Sequence, residues 1–163
     1  MAQAPTLEYL MTMTANLRAN TPVIAHGPQG TRAIAIVTGG TFEGPKLRGT
    51  LDDSGGDWVT VRADGSIKLD VRVLLHTHDG ADIFMRYEGV GLRQDDGSLN
   101  LATAPLFETG DERYAWLNHV QAITSGKSKG GVVTYEGLRR PAVGLPLPLR
   151  SPANPPWTPT VFC

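Results

Sequence analysis

Residues Ser66–Thr77 read SIKLDVRVLLHT, and after His78-Asp79-Gly80 the chain continues as ADIFMRYEG over Ala81–Gly89. Side chains of an extended segment alternate between two faces. Leu69, Val71, Val73 and Leu75 therefore line one face, while Asp70, Arg72, Leu74 and His76 line the other. The pattern predicts two long antiparallel strands joined at a tight turn, with the apolar face as the natural core.

The same grammar repeats outward in both directions. Strands are predicted over Leu7–Ala15, Arg32–Thr38, Lys46–Leu51, Trp58–Arg62, Leu99–Phe107, Trp116–Thr124 and Gly131–Leu138. The breaks carry turn chemistry: Asp52-Asp53-Ser54-Gly55-Gly56, Ala63-Asp64-Gly65 and Asp95-Asp96-Gly97. Asp-Gly supplies the positive φ that two-residue hairpins demand. Nine short strands with frequent tight turns predict an all-β fold, a single closed antiparallel β-barrel of about eight strands, since closure removes exposed edges. One short helical turn is predicted over Asp111–Ala115, where Thr109 and Glu112 stand at capping-box spacing. The barrel domain is assigned to residues 1–138. Residues 139–163 carry Pro141, Pro146, Pro148, Pro152, Pro155, Pro156 and Pro159 and form a Pro-rich C-terminal arm. Its Leu145, Leu147, Leu149, Trp157, Val161 and Phe162 predict packing on the barrel or on a neighbouring subunit.

Composition narrows the function. A chain of 163 residues suits one domain with a sizeable core. Lys+Arg 15 against Asp+Glu 16 leaves a net charge of −1, which offers no footprint for nucleic acid or an anionic membrane surface. Cys163 is the sole cysteine, so no disulfide forms within the chain. No apolar run reaches the length of a spanning helix, and Met1–Arg18 does not read as a signal peptide. The expected setting is cytoplasmic.

Three blocks are familiar together: Gly39-Gly40-Thr41-Phe42-Glu43-Gly44-Pro45-Lys46-Leu47-Arg48-Gly49, then Gly56-Asp57-Trp58, then Phe107-Glu108-Thr109-Gly110-Asp111-Glu112-Arg113-Tyr114-Ala115-Trp116-Leu117-Asn118. In order and spacing they resemble a bacterial and fungal family catalogued as domain of unknown function thirty-two thirty-seven. The resemblance covers roughly residues 6–138. It implies an eight-stranded barrel similar to allene oxide cyclase and dirigent proteins, which hold small hydrophobic molecules and steer their rearrangement, usually without a cofactor. It also implies a homo-oligomer.

Candidate chemistry follows from side-chain type. Glu43 lies among glycines beside Phe42, and Glu108 precedes the helical turn; either carboxylate, if desolvated, suits a general acid or base. Glu43 serves equally well to hold its glycine-rich loop. Asp70 and Arg72 share a strand face, either as a lumenal pair that orients a polar substrate group or as a salt bridge on the outer wall. Asn118 and Tyr114 are candidates to polarise a carbonyl and to donate a proton. Tyr9, Phe42, Trp58, His76 and Trp116 are the expected binding walls. Asp57 reads as a turn cap before Trp58. His76-Thr77-His78 places two imidazoles close together but lacks a third ligand at usable spacing, so no metal is expected. Gly126-Lys127-Ser128 lacks the rest of a P-loop and reads as an exposed basic turn. The expected function is a cofactor-independent isomerase, cyclase or lyase that uses proton transfer on a small hydrophobic, aromatic molecule. The alternative is a non-catalytic dirigent-type binding protein.

Overall fold

The computed structural model describes residues 4–141; the Pro-rich arm beyond, and the packing expected of it, lies outside the described residues. The strands are β1 (Glu8–Leu17), β2 (Val23–Gly27), β3 (Gly30–Glu43), β4 (Arg48–Leu51), β5 (Gly56–Val61), β6 (Ile67–Thr77), β7 (Asp82–Arg93), β8 (Leu99–Thr103), β9 (Leu106–Glu108), β10 (Ala122–Lys129) and β11 (Val132–Arg139). They form the closed eight-strand antiparallel barrel that the alternation predicts.

Eleven strands make eight staves because three staves are interrupted. β3 pairs with β1 along one half and with β2 along the other. On its opposite edge it pairs with β4 and then β5, both of which also pair with β6. β7 likewise meets β8 and then β9. Asp52–Gly55 breaks the second stave. Pro105 breaks the third, because a proline cannot donate to a ladder. The predicted strand Leu99–Phe107 is thus two strands. β2 carries no strand signal in the sequence, since prolines at 22 and 28 bracket it tightly.

The long hairpin behaves as its alternation demands. Ile67, Leu69, Val71, Val73 and Leu75 are buried in the lumen, and Lys68, Asp70, Arg72 and His76 face outward. Gly40 sits where β1 shifts register against β3. A Cβ there would stand 2.1 Å from the Thr14 carbonyl oxygen, so the close strand crossing requires glycine.

The barrel's two ends differ. One is closed. Phe42, Leu47, Phe107, Tyr114, Leu117 and Val120 are all buried there. Arg113 grips Asp111 through Nε and Nη2 (2.9 and 2.6 Å) and reaches Asp79 through Nη1 (3.0 Å). The Tyr114 hydroxyl donates to the same Asp79 carboxylate at 2.9 Å. The Asp79 pKa is lowered chiefly by the hydrogen bond it accepts from the Thr77 hydroxyl (2.6 Å), with Tyr114 and Arg113 adding to it, and that of Asp111 chiefly by Arg113; the Arg113 and Tyr114 bonds staple the segment after β9 across the barrel end. The helical turn falls later than predicted, as a 3-10 turn over Ala115–His119, and Trp116–Thr124 does not open as a strand. The capping box does not form. The Thr109 N–H donates to Asn118 Oδ1 (2.8 Å) rather than to Glu112, and Thr109 Oγ1 donates to the Asp82 carbonyl (2.7 Å).

The opposite end is open. Three tight connections surround it, with positive φ at Gly65, Gly97 and Gly130-Gly131. Gly126-Lys127-Ser128 lies within β10 rather than in a turn.

Candidate functional site

A cavity of about 120 Å³ occupies the open end of the lumen. Ala15, Leu17, Ala35, Val37, Leu69, Val71 and Leu101 form much of its wall, each contributed by the inward face of its strand. Leu17, Val59, Leu99 and Ser128, all half-buried, stand at its rim. Three ionisable groups break this apolar surface: Asp57, Tyr87 and Tyr135.

Asp57 shares its inward parity on β5 with Val59, while Trp58 between them points outward. The ladder between β5 and β6 is interrupted between Asp57 and Thr60. Asp57 Oδ1 fills part of that gap by accepting the Asp70 backbone N–H at 2.9 Å. Burial pushes the Asp57 carboxyl up to about 6; the Asp70 N–H bond opposes the rise, and the nearby Asp70 charge adds to it. Tyr87 and Tyr135 stand edge to face, ring centroids 5.6 Å apart. Burial drives the Tyr87 hydroxyl well above its usual range and raises that of Tyr135, so both stay protonated at neutral pH; the Asp57 charge pushes each the same way. Gly126 makes room for Tyr135, since a Cβ there would lie 2.4 Å from the tyrosine ring. A carboxylate that titrates near neutrality beside two protonated phenols, in an apolar chamber, can take up a proton and give one back.

The residues singled out from the sequence lie elsewhere. Glu43 and Glu108 are exposed on the outer wall. Arg72 pairs with Asp70 at 3.0 Å and stacks over Trp58 at 5.6 Å, all three outside the barrel. This is the outer-wall salt bridge of the two readings. His76 is held between Asp52 Oδ2 (2.8 Å) and Asp82 Oδ1 (2.7 Å), which ties three staves together on the outside. Its pKa is raised by those hydrogen bonds, chiefly the one to Asp52. Asn118 holds the Thr109 backbone at both ends of its amide, with Nδ2 donating to the Thr109 carbonyl at 2.9 Å. Tyr114 belongs to the closed-end clamp, and Phe42 fills that end. Tyr9 donates to the Glu43 carbonyl at 3.2 Å. Trp116 lies under Arg139 (5.0 Å) and Lys46 (5.8 Å) in a separate surface cleft. Strand parity was the signal that could have found Asp57: it alternates in step with Val59 and Val61, not with Trp58. Among the described residues no group of three or more His, Cys, Asp or Glu is arranged to hold a metal.

The family model for the protein of unknown function DUF3237 matches residues 5–139. The chain belongs to the DUF3237 family. Among its curated relatives is one named hydroalkoxylation enzyme phnH, from Penicillium herquei, 34% identical over 120 residues and aligned over 72% of each chain. A UPF0311 protein of Rhodopseudomonas palustris is 30% identical over 128 residues, covering 69% of this chain and 83% of that one. Among solved structures, a β-barrel-like protein from Acinetobacter baumannii superposes with a TM-score of 0.78 at 29% identity, over 85% of this chain and 98% of the other. An enzyme from Penicillium herquei superposes with a TM-score of 0.61 at 28% identity, over 85% and 97%. This DUF3237 barrel thus shares its fold with relatives of unknown function and with a named enzyme. No helix among the described residues is long and apolar enough to cross a membrane.

Proposed function

We propose that this barrel is an enzyme that rearranges a small hydrophobic molecule by proton transfer, with its own side chains as acid and base. The observation that carries the reading is Asp57, a carboxyl raised to about 6 inside an apolar cavity that also holds two tyrosine hydroxyls. Asp57 is the base, ionised at neutral pH and poorly solvated. Tyr87 or Tyr135 supplies the proton or holds the developing oxyanion. A proton leaves one atom of the substrate for Asp57 and another is returned elsewhere, either from Asp57 itself or from a tyrosine that then recovers its proton from Asp57, so the net change is an isomerisation, a cyclisation or an elimination. The proton-moving role expected of Glu43 and Glu108 passes to Asp57.

The relative named as a hydroalkoxylation enzyme supports this class of reaction. Hydroalkoxylation adds O–H across a carbon–carbon double bond. It needs one proton taken from oxygen and one delivered to carbon, which an acid and a base in one apolar chamber supply.

A thermal-shift screen of the purified chain against phenolic and polyketide-like molecules, with mass analysis of every hit, tests the reading. A stabilising molecule that comes back chemically altered, with turnover reduced at least ~100-fold in Asp57→Asn, supports it. Full turnover by Asp57→Asn removes Asp57 from the mechanism. A ligand returned intact establishes instead a non-catalytic, dirigent-type binding protein.

A further inference from the structure

The outer cavity is small. An engineered apolar cavity of roughly 150 Å³ takes up benzene, so about 120 Å³ holds no more than one six-membered ring. Tyr87 and Tyr135 form its inner limit, and both also line a second void deeper in the lumen, of about 10 Å³. Its other walls include Met11, Met13, Met85, Phe107 and Ala122. Of the four methionines in the sequence, three meet here, all buried. Among the described residues, the hydroxyls in the inner walls apart from the tyrosines are those of Thr103 and Thr124, which bond each other at 2.6 Å.

A space this small admits at most one water, and its exposed wall is almost wholly apolar. Methionine has three rotatable bonds and a polarisable thioether, so it yields to an incoming group where branched or aromatic side chains would not. The closed end, by contrast, is filled by Phe42, Leu47, Tyr114 and Leu117.

We propose that the lumen is a two-chamber binding site: the outer chamber holds a ring-sized head, and the methionine chamber behind the tyrosine pair opens to take a linear apolar tail. The ligand class is an elongated amphipathic molecule with a hydroxyl-bearing ring and a hydrocarbon chain of several carbons. The ring's hydroxyl meets Asp57, and the chain enters the inner chamber by parting the edge-to-face contact of the two tyrosines. This rests on the reading of the outer cavity as the ligand site.

The test is a binding series from phenol to 4-octylphenol, measured by calorimetry on the full chain. Affinity is expected to rise about threefold to fourfold per methylene over the first several carbons, the ordinary gain for burying hydrocarbon. Met85→Phe, which fills the inner chamber, stops that rise while leaving phenol binding unchanged. Met13→Phe does the same from the facing strand, should the first variant fold poorly. Met85→Ala extends the rise to longer chains. An unchanged slope in the filled variants puts the tail at the mouth and overturns the inner chamber. Failure of phenol itself to bind the unmodified chain is a different result, which overturns the outer cavity as a ligand site and the inner chamber with it.

Discussion

The two ends of this barrel are built from opposite kinds of sequence. The closed end carries the recognisable motif, Phe107–Asn118, and most of its polar groups, the exposed Glu108 and Glu112 apart, are spent on structure. Arg113, Asp111, Asp79 and Tyr114 form one clamp, and Asn118 ties down Thr109. The open end has plain strands of Ala, Val and Leu, yet it holds the cavity and Asp57, whose carboxyl is lifted to about 6. A segment can be distinctive because it must close a barrel, and a reactive group can sit in an unremarkable strand because its neighbours supply the low dielectric. Motif density and chemical potential are therefore separate properties of a chain.

If the two ends are independent, damage to one should leave the other intact. Leu117 is fully buried in the plug. Leu117→Ala is expected to cost about 2–5 kcal/mol of stability by denaturant unfolding, while phenol affinity at the open end stays the same. Lost affinity would show that the plug shapes the cavity. A middle-sized effect belongs to Asp57. Its folded pKa of about 6 lies above the 3.8 of a free aspartate, so its contribution to stability is fully present below about 3.8 and is lost as pH rises through about 6. At pH 7 the loss amounts to at most about 3 kcal/mol. The stability difference between the unmodified chain and Asp57→Asn should follow that window, with the variant the more stable at neutral pH. A flat difference would place Asp57 in water. The smallest effect is expected from Arg72→Ala, which removes an exposed ion pair and an exposed cation–π contact and should cost below about 1 kcal/mol, with turnover unchanged. A large loss of turnover there would move chemistry to the outer wall.

Much of the fold was legible. Strict alternation in Ser66–Thr77 and the Asp-Gly turns predicted the long hairpin and its inner face, and barrel closure followed from the number and spacing of strands. The misreadings share a cause: local pattern yields to tertiary partners. Trp116–Thr124 alternates well enough for a strand, but Leu117 and Val120 serve the plug and demand a 3-10 turn. Thr109 and Glu112 have capping spacing, yet the Thr109 N–H finds a better acceptor in Asn118. The site was harder to see. Large aromatics such as Trp58 and Trp116 suggested cavity walls, whereas this cavity is formed by small aliphatics that leave space. Asp57 looked like a turn residue because its double-glycine prelude is turn-like; only its register against β6 turns it inward.

The connections at Gly65, Gly97 and Gly130-Gly131 circle the mouth, and a side chain grown at Gly65, Gly97 or Gly130 would meet nothing within 4 Å. Those tips can accept extra residues without disturbing a ladder or the plug. The scaffold therefore comes with its own attachment points for a lid, and a library of short insertions there could retune which molecules enter while the tyrosines and Asp57 stay where they are.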